Sequence, residues 1–269
     1  MSNASVSQHN AYNQFLLGRP NSEALGMRKR ICALEAREQL REAGRKPALP
    51  IEFTSQYGED CWLWELFRGQ NDGFFIEVGA YDGLWYSVTY PFESIGWKGL
   101  LIEPIPVRYE LCRSRRPHSR VVHAAVAGPG SSGTCTFTVV TGDGEGMLSY
   151  LTPTVNNTRD ITSAGYQTKR VEVPLTTMND LLAQHTGPID VAVIDVEGGE
   201  VPLLKGFDLE RFRPRVLLIE EGMPSPSSDV SKYLSAFAYV PTTFPWINRA
   251  YIRKDEEELI RRTQRIPIF

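Results

Sequence analysis

The sequence predicts an α/β domain on a mostly parallel sheet, and two observations carry that prediction. Short apolar runs bounded by turn residues recur at 74–78, 99–103, 120–123, 190–194 and 215–219, the pattern of strands buried on both faces. Segments suited to helices lie between them at 106–114, 177–185, 199–207 and 228–239. Such alternation builds a parallel sheet with helices on both faces.

Taken in order, residues 1–21 are polar and aperiodic. From Ser22 to Ala43 the residues Leu25, Cys32, Ala33, Ala36 and Leu40 recur at helical spacing, with Ser22 as N-cap and Gly44 as stop. Basic residues crowd this helix, which reads as a solvated face, an arm for an anionic partner or a homo-oligomer contact. Pro47 and Pro50 mark a linker, so 1–50 is expected to be an N-terminal helical extension and 51–269 the main domain. A short helix at 61–67 closes at Gly69 and leads into the first strand. The stretch of about 129–173 breaks the rhythm. There 134–140 alternates like an edge strand, Gly142, Gly144 and Gly146 follow, and Asn156 and Asn157 lie in a polar segment. It reads as an inserted hairpin with a mobile loop covering a substrate.

Composition narrows the class. Apolar residues make up 42%, and 29 basic residues against 32 acidic leave a net charge of −3. That is enough for a core and lacks the basic excess of a nucleic-acid binder. No apolar run approaches the ~18 residues of a membrane span. Four dispersed cysteines suit a reducing compartment rather than a disulfide or zinc framework. A soluble cytoplasmic protein is expected.

Acids mark the ends of the strand runs: Glu77, Glu103, Asp195, then Glu220 and Glu221. In open α/β sheets ligands bind outside the carboxyl ends of the strands, so acids remote in sequence can line one site. The first run continues as Glu77-Val78-Gly79-Ala80-Tyr81-Asp82-Gly83, where glycines permit a sharp turn and close ligand approach. The pattern is neither GxGxxG nor a Walker loop, which counts against nicotinamide and triphosphate sites. Glu103, ending the second run, can accept both hydroxyls of a ribose.

The segments SQYGED (55–60), FFIEVGAYDG (74–83), LLIEP (100–104), HAAVAG (123–128), IDVAVIDVEGGEVPLLKG (189–206) and RPRVLLIEE (213–221) closely resemble the FkbM-type family of S-adenosylmethionine-dependent methyltransferases. The resemblance implies a Rossmann-like, seven-stranded class I methyltransferase fold. It also implies that Glu77, Gly79, Ala80, Tyr81 and Gly83 surround the methionine moiety, that Glu103 with Pro104 holds the ribose, and that Ala124 and Ala125 border the adenine. Ser87 would lie near the amino-acid end, with Gln56 and Glu59 closing over it.

A sugar-type hydroxyl has a pKa far above 7, so a methyl acceptor needs its proton managed. Two solutions stay open. Asp195 with Glu220 or Glu221 resembles the Mg²⁺ ligand set of metal-dependent catechol and macrolide-sugar O-methyltransferases; alternatively Asp195 or Glu197 acts as a bare general base. Glu200 reads as a helix cap, His123 as wall, and His118 with Arg113, Arg115, Arg116 and Arg120 as a solvated basic cluster. Trp246 and Asn248 are candidate sugar contacts. The expected function is methyl transfer to a hydroxyl of a sugar, glycan or glycosylated natural product. The alternatives are N-methylation of a peptide or small amine, or a non-catalytic interaction protein.

Overall fold

The computed structural model describes residues 22–142, 146, 148–151, 161–222, 228–242 and 247–266. Strands β1 (Phe74–Val78), β2 (Lys98–Glu103) and β3 (Arg120–His123) form one half of the main sheet, and β7 (Val191–Ile194) and β8 (Val216–Glu220) continue it. With β9 (Tyr239–Pro241) and β10 (Asn248–Arg253), the order of the seven strands is β3-β2-β1-β7-β8-β10-β9. β1 pairs in parallel with both β2 and β7, placing Glu77 beside Leu101 and Val193. β10 runs antiparallel to β8 and β9.

The continuous apolar runs are explained by two cores, one on each face. Phe75, Leu101, Val191, Val193, Val216 and Leu218 face one core; Ile76, Leu100, Ile102, Ala192, Leu217 and Ile219 face the other. Adjacent residues of a strand point to opposite faces, so a strand covered on both sides carries apolar residues at every position. Helix α2 (Glu59–Leu66), α4 (Pro106–Arg115) and α8 (Glu257–Thr263) contribute to the first core. Helix α5 (Met178–Leu181), α6 (Glu200–Lys205) and α7 (Asp229–Leu234) contribute to the second, and α3 (Tyr90–Ser94) precedes β2.

Helix α1 (Ser22–Glu42) belongs to the first core. Cys32, Ala33, Ala36 and Leu40 are buried in the same cluster as Phe75 and Val191. Two of its basic residues, Arg28 and Lys29, reach back to the domain, whereas Arg30, Arg37 and Arg41 stay exposed. Arg28 pairs with Glu65 at 2.6 Å, Lys29 donates to the Ser55 carbonyl, and beyond the helix Arg45 donates to the carbonyls of Asn71 (2.6 Å) and Ile95 (3.1 Å). The helix thus keeps a solvated basic face and is fastened to the domain through Arg28 and Lys29. No helix among the described residues is long and apolar enough to cross a membrane.

A second sheet of order β4-β6-β5 is built from β4 (Ala125–Val126), β5 (Thr134–Thr141) and β6 (Gln167–Thr176). β5 and β6 form the inserted hairpin, paired from Thr134↔Pro174 to Thr141↔Gln167. Phe137, Val139 and Val173 supply its small core with Ile105 and Ala125. Gly144, Asn156, Asn157 and residues 1–21 lie outside the described residues.

Candidate active site

The carboxyl ends of β1, β2, β7 and β8 open onto a cavity of about 560 Å³, within the usual size of a cofactor-plus-substrate site. Glu77, Glu103, Asp195, Glu197 and Glu220 all line it. Acids remote in sequence therefore meet at one place because parallel strands start together and end together.

Glu77 serves the wall of this cavity rather than its interior. It is 4% exposed and accepts from the Ser87 hydroxyl (2.8 Å), the Val88 N–H (2.7 Å) and the Thr89 hydroxyl (2.7 Å). Beneath it lies Arg116, wholly buried, at 3.6 Å from Glu77 and 2.7 Å from the buried Glu93. The guanidinium also donates to the Gly83 carbonyl (3.2 Å) and to the hydroxyls of Ser87 (3.1 Å) and Thr89 (3.0 Å). Arg116 is thus no part of a solvated basic cluster. It neutralises two buried carboxylates and pins the 83–89 segment.

The loop 79–83 follows. Gly79 has φ +85, and a Cβ there would lie 2.0 Å from the Asp195 carbonyl oxygen. Only glycine lets the end of β1 cross the end of β7 at this height. The N–H groups of Gly79 and Ala80 bond to the Ile102 carbonyl at 3.0 and 3.1 Å, and that of Tyr81 to Glu103 at 2.8 Å. These amides hold the loop's shape. Gly83, φ +78, packs against Cys112 and Arg116.

Glu103 accepts from the N–H of Tyr81 and of Ile105, each at 2.8 Å. Burial pushes its carboxyl up to about 8, against the opposing pull of those two amides and of Arg108. Pro104, Ala124 and Ala125 line the cavity beside it, as do Gln56 and Ser87. His123 turns away, its Nε2 at 2.9 Å from the Pro104 carbonyl and its ring stacked on Tyr109. Glu59 is tied up below, accepting from the Tyr57 N–H (2.9 Å) and the Asn248 amide (2.8 Å). Asn248 is thereby anchored, and Trp246 lies outside the described residues.

Asp195, Glu197 and Glu220 each offer a carboxylate oxygen within 4.8 Å of the others. Asp195 lies exposed at the cavity. Desolvation raises its carboxyl; a hydrogen bond from Glu220 draws it down and the charge of Glu77 adds to the rise. Glu220 is pushed up further, by burial and then by the negative charges of Asp195 and Glu197. Like charges this close make ionisation of the cluster costly. Glu221 departs from the expected ligand set. It follows Glu220 on an extended chain and so points the other way, where it accepts from the Tyr251 hydroxyl. Glu197 takes the third place, held at φ +55 in the turn after β7. Glu200 accepts from the Gly198 N–H at 2.9 Å and steadies that turn.

Two contributions escape a sequence reading, Arg116 and the Trp85–Tyr86 pair, while Phe137, Leu151 and Tyr166 of the 129–173 stretch line the cavity. The aromatic pair between Gly83 and Ser87 carried a visible signal, two large apolar residues in a turn.

A seven-stranded sheet with one antiparallel strand inserted beside its last, and an acid-lined cavity over β1, β2 and β7, defines a class I S-adenosylmethionine-dependent methyltransferase fold. The Methyltransferase FkbM domain model matches residues 77–241. The chain belongs to that methyltransferase family. Among curated proteins none matches it. Solved structures similar to it include the METTL16 MTase domain, at 13% identity and TM-score 0.42, aligning 72% of this chain with 65% of that one. The chain thus spans just under two thirds of that relative. A methyltransferase from Geobacter sulfurreducens is similar at 12% identity and TM-score 0.42, over 92% and 97% of the two chains. The O-methyltransferase TomG from Streptomyces achromogenes, involved in tomaymycin synthesis and solved with SAM, is similar at 13% identity and TM-score 0.40, over 82% and 89%.

Proposed function

We propose that the protein transfers the methyl group of S-adenosylmethionine to a hydroxyl of a sugar, glycan or glycosylated natural product. The observation that carries this reading is the cluster of Asp195, Glu197 and Glu220 in the same cavity as Glu103. In this reading Glu103 accepts the ribose hydroxyls, Ala124 and Ala125 border the adenine, and the 79–83 loop with Ser87 and Gln56 encloses the methionine end. The sulfonium is already activated. The protein's task is to hold the acceptor oxygen in line at about 3 Å and take its proton. Asp195 and Glu197 are the groups assigned to that proton. A carboxylate whose pKa is raised is a stronger base than one in water, which favours Asp195.

The three carboxylates also fit a hard divalent cation, since all donors are oxygens close enough to share one ion. Bound Mg²⁺ would orient a diol and acidify one hydroxyl. With methyl-labelled S-adenosylmethionine and a panel of glycosides, transfer to alcohols is expected, with EDTA suppressing it and Mg²⁺ restoring it. Full turnover in chelator would leave Asp195 and Glu197 as bare bases. Transfer to amines alone would favour the second reading, N-methylation of a peptide or small amine, for which the same acids would hold the ammonium. Failure to bind S-adenosylmethionine would favour a non-catalytic role.

Cofactor affinity should depend on pH through Glu103. Its carboxyl, raised to about 8, is protonated in the empty protein at neutral pH, whereas two ribose hydroxyls require a carboxylate acceptor. Binding then expels a proton, and affinity rises with pH by up to about tenfold per unit until pH reaches about 8. The same shift makes the empty protein lose stability as pH climbs from about 4.5 to about 8. Calorimetry in buffers of different ionisation enthalpy measures the expelled proton; pH-independent affinity would remove Glu103 from the ribose.

A further inference from the structure

Trp85 and Tyr86 stand at the cavity and yet remain 60% and 45% exposed. Their rings meet as an open corner, centroids 6.5 Å apart and planes at 62°. The backbone that presents them is fixed. Asp82 Oδ1 accepts from the N–H of Leu84 (3.0 Å) and Trp85 (2.9 Å), the Ser87 N–H bonds to the Leu84 carbonyl at 3.2 Å, and Tyr86 forms a bridge with Ser55. Tyr86 holds φ +62, a conformation that disfavours a bulky residue and persists only where the surroundings impose it. Across the same cavity stand Phe137, Leu151 and Tyr166, and the acids Asp195, Glu197 and Glu220 lie with them.

We propose that Trp85 and Tyr86 form the acceptor platform, and that the acceptor is an uncharged ring stacked on them by its C–H face. The inference rests on the hydroxyl-methylation reading above and adds the substrate's charge and its binding residues. Aromatic faces hold the apolar side of a sugar ring without consuming its hydroxyls, which leaves one free to reach the acidic cluster. With no cation bound, a phosphate or carboxylate on the acceptor would enter the field of those acids, and like charges brought together discriminate strongly against such a ligand. Neutral glycosides are thus accepted, while sugar phosphates and uronides are rejected.

Binding is read on the full chain loaded with S-adenosylhomocysteine in EDTA, titrated with 4-nitrophenyl β-glucoside, its 6-phosphate and the corresponding glucuronide. Tryptophan fluorescence and calorimetry read binding, and label transfer from S-adenosylmethionine reads turnover. The glucoside should bind, the two anions about tenfold more weakly or worse. Trp85→Ala and Tyr86→Ala should each weaken the glucoside by about tenfold, with S-adenosylhomocysteine affinity within about twofold, and Trp85→Phe should recover most of the loss. No glucoside binding, equal binding of the anions, or glucoside affinity unchanged in both alanine variants would overturn the proposal. Platform-dependent binding without methyl transfer would retain the platform and discard hydroxyl methylation. Transfer indifferent to both variants would do the reverse.

Discussion

Replacing Arg116 with alanine should lower the unfolding free energy by about 3–5 kcal/mol, the cost of stranding buried partners of opposite charge. The guanidinium is wholly buried between Glu77 and Glu93 and serves the Gly83 carbonyl and two hydroxyls besides. Arg116→Lys should recover little, because one ammonium cannot reach partners spread around a planar fork. A contrasting arginine lies one turn earlier. Arg113 pairs with Glu110 in solvent, the two side chains 62% and 58% exposed, and its loss should leave stability nearly unchanged. Urea unfolding of the two alanine variants separates them. An Arg116→Ala protein as stable as Arg113→Ala would show that Glu77 and Glu93 find other partners.

The largest effect on turnover is expected at Asp195. Asp195→Asn keeps the side chain's shape and leaves the backbone contact with Gly79 untouched, but removes the proposed proton acceptor and one candidate metal ligand. Methyl transfer should fall about 10²–10⁴-fold, while S-adenosylhomocysteine affinity changes by less than about tenfold as measured by calorimetry. With the negative neighbour gone, Glu220 should titrate lower than in the parent protein, since the charge of Asp195 contributes to its rise. Transfer within about threefold of the parent would move the proton chemistry to another group.

The parallel half of the sheet was legible because strands covered on both faces leave unbroken apolar runs, as 191–194 and 216–219 do. β9 and β10 were harder to see. Asn248–Arg253 carries polar residues at both ends and owes its position to antiparallel pairing with β8, a contact that local pattern does not encode. The acids at the strand ends were legible one by one, and their convergence followed from the parallel topology. Choosing between Glu220 and Glu221 was within reach of the two-residue period of an extended chain, which lets only one of the pair face the cavity. Arg116 was not within reach. Nothing local separates it from Arg113 and Arg115, and its partners Glu77 and Glu93 come from distant positions. In α1 likewise nothing local separates Arg28 and Lys29, whose acceptors are Glu65 and the Ser55 carbonyl, from the exposed Arg30 and Arg41.

The 2.0 Å approach between the Cβ position of Gly79 and the Asp195 carbonyl fuses the turn proposed for the cofactor and the acids proposed to take the proton into a single joint. Divergence of substrate range within such a scaffold must therefore proceed from its outer parts, the 84–86 turn and the β5–β6 hairpin, where side chains can be exchanged without disturbing that joint. Anyone retargeting this catalyst should leave its floor alone and rebuild its doorway.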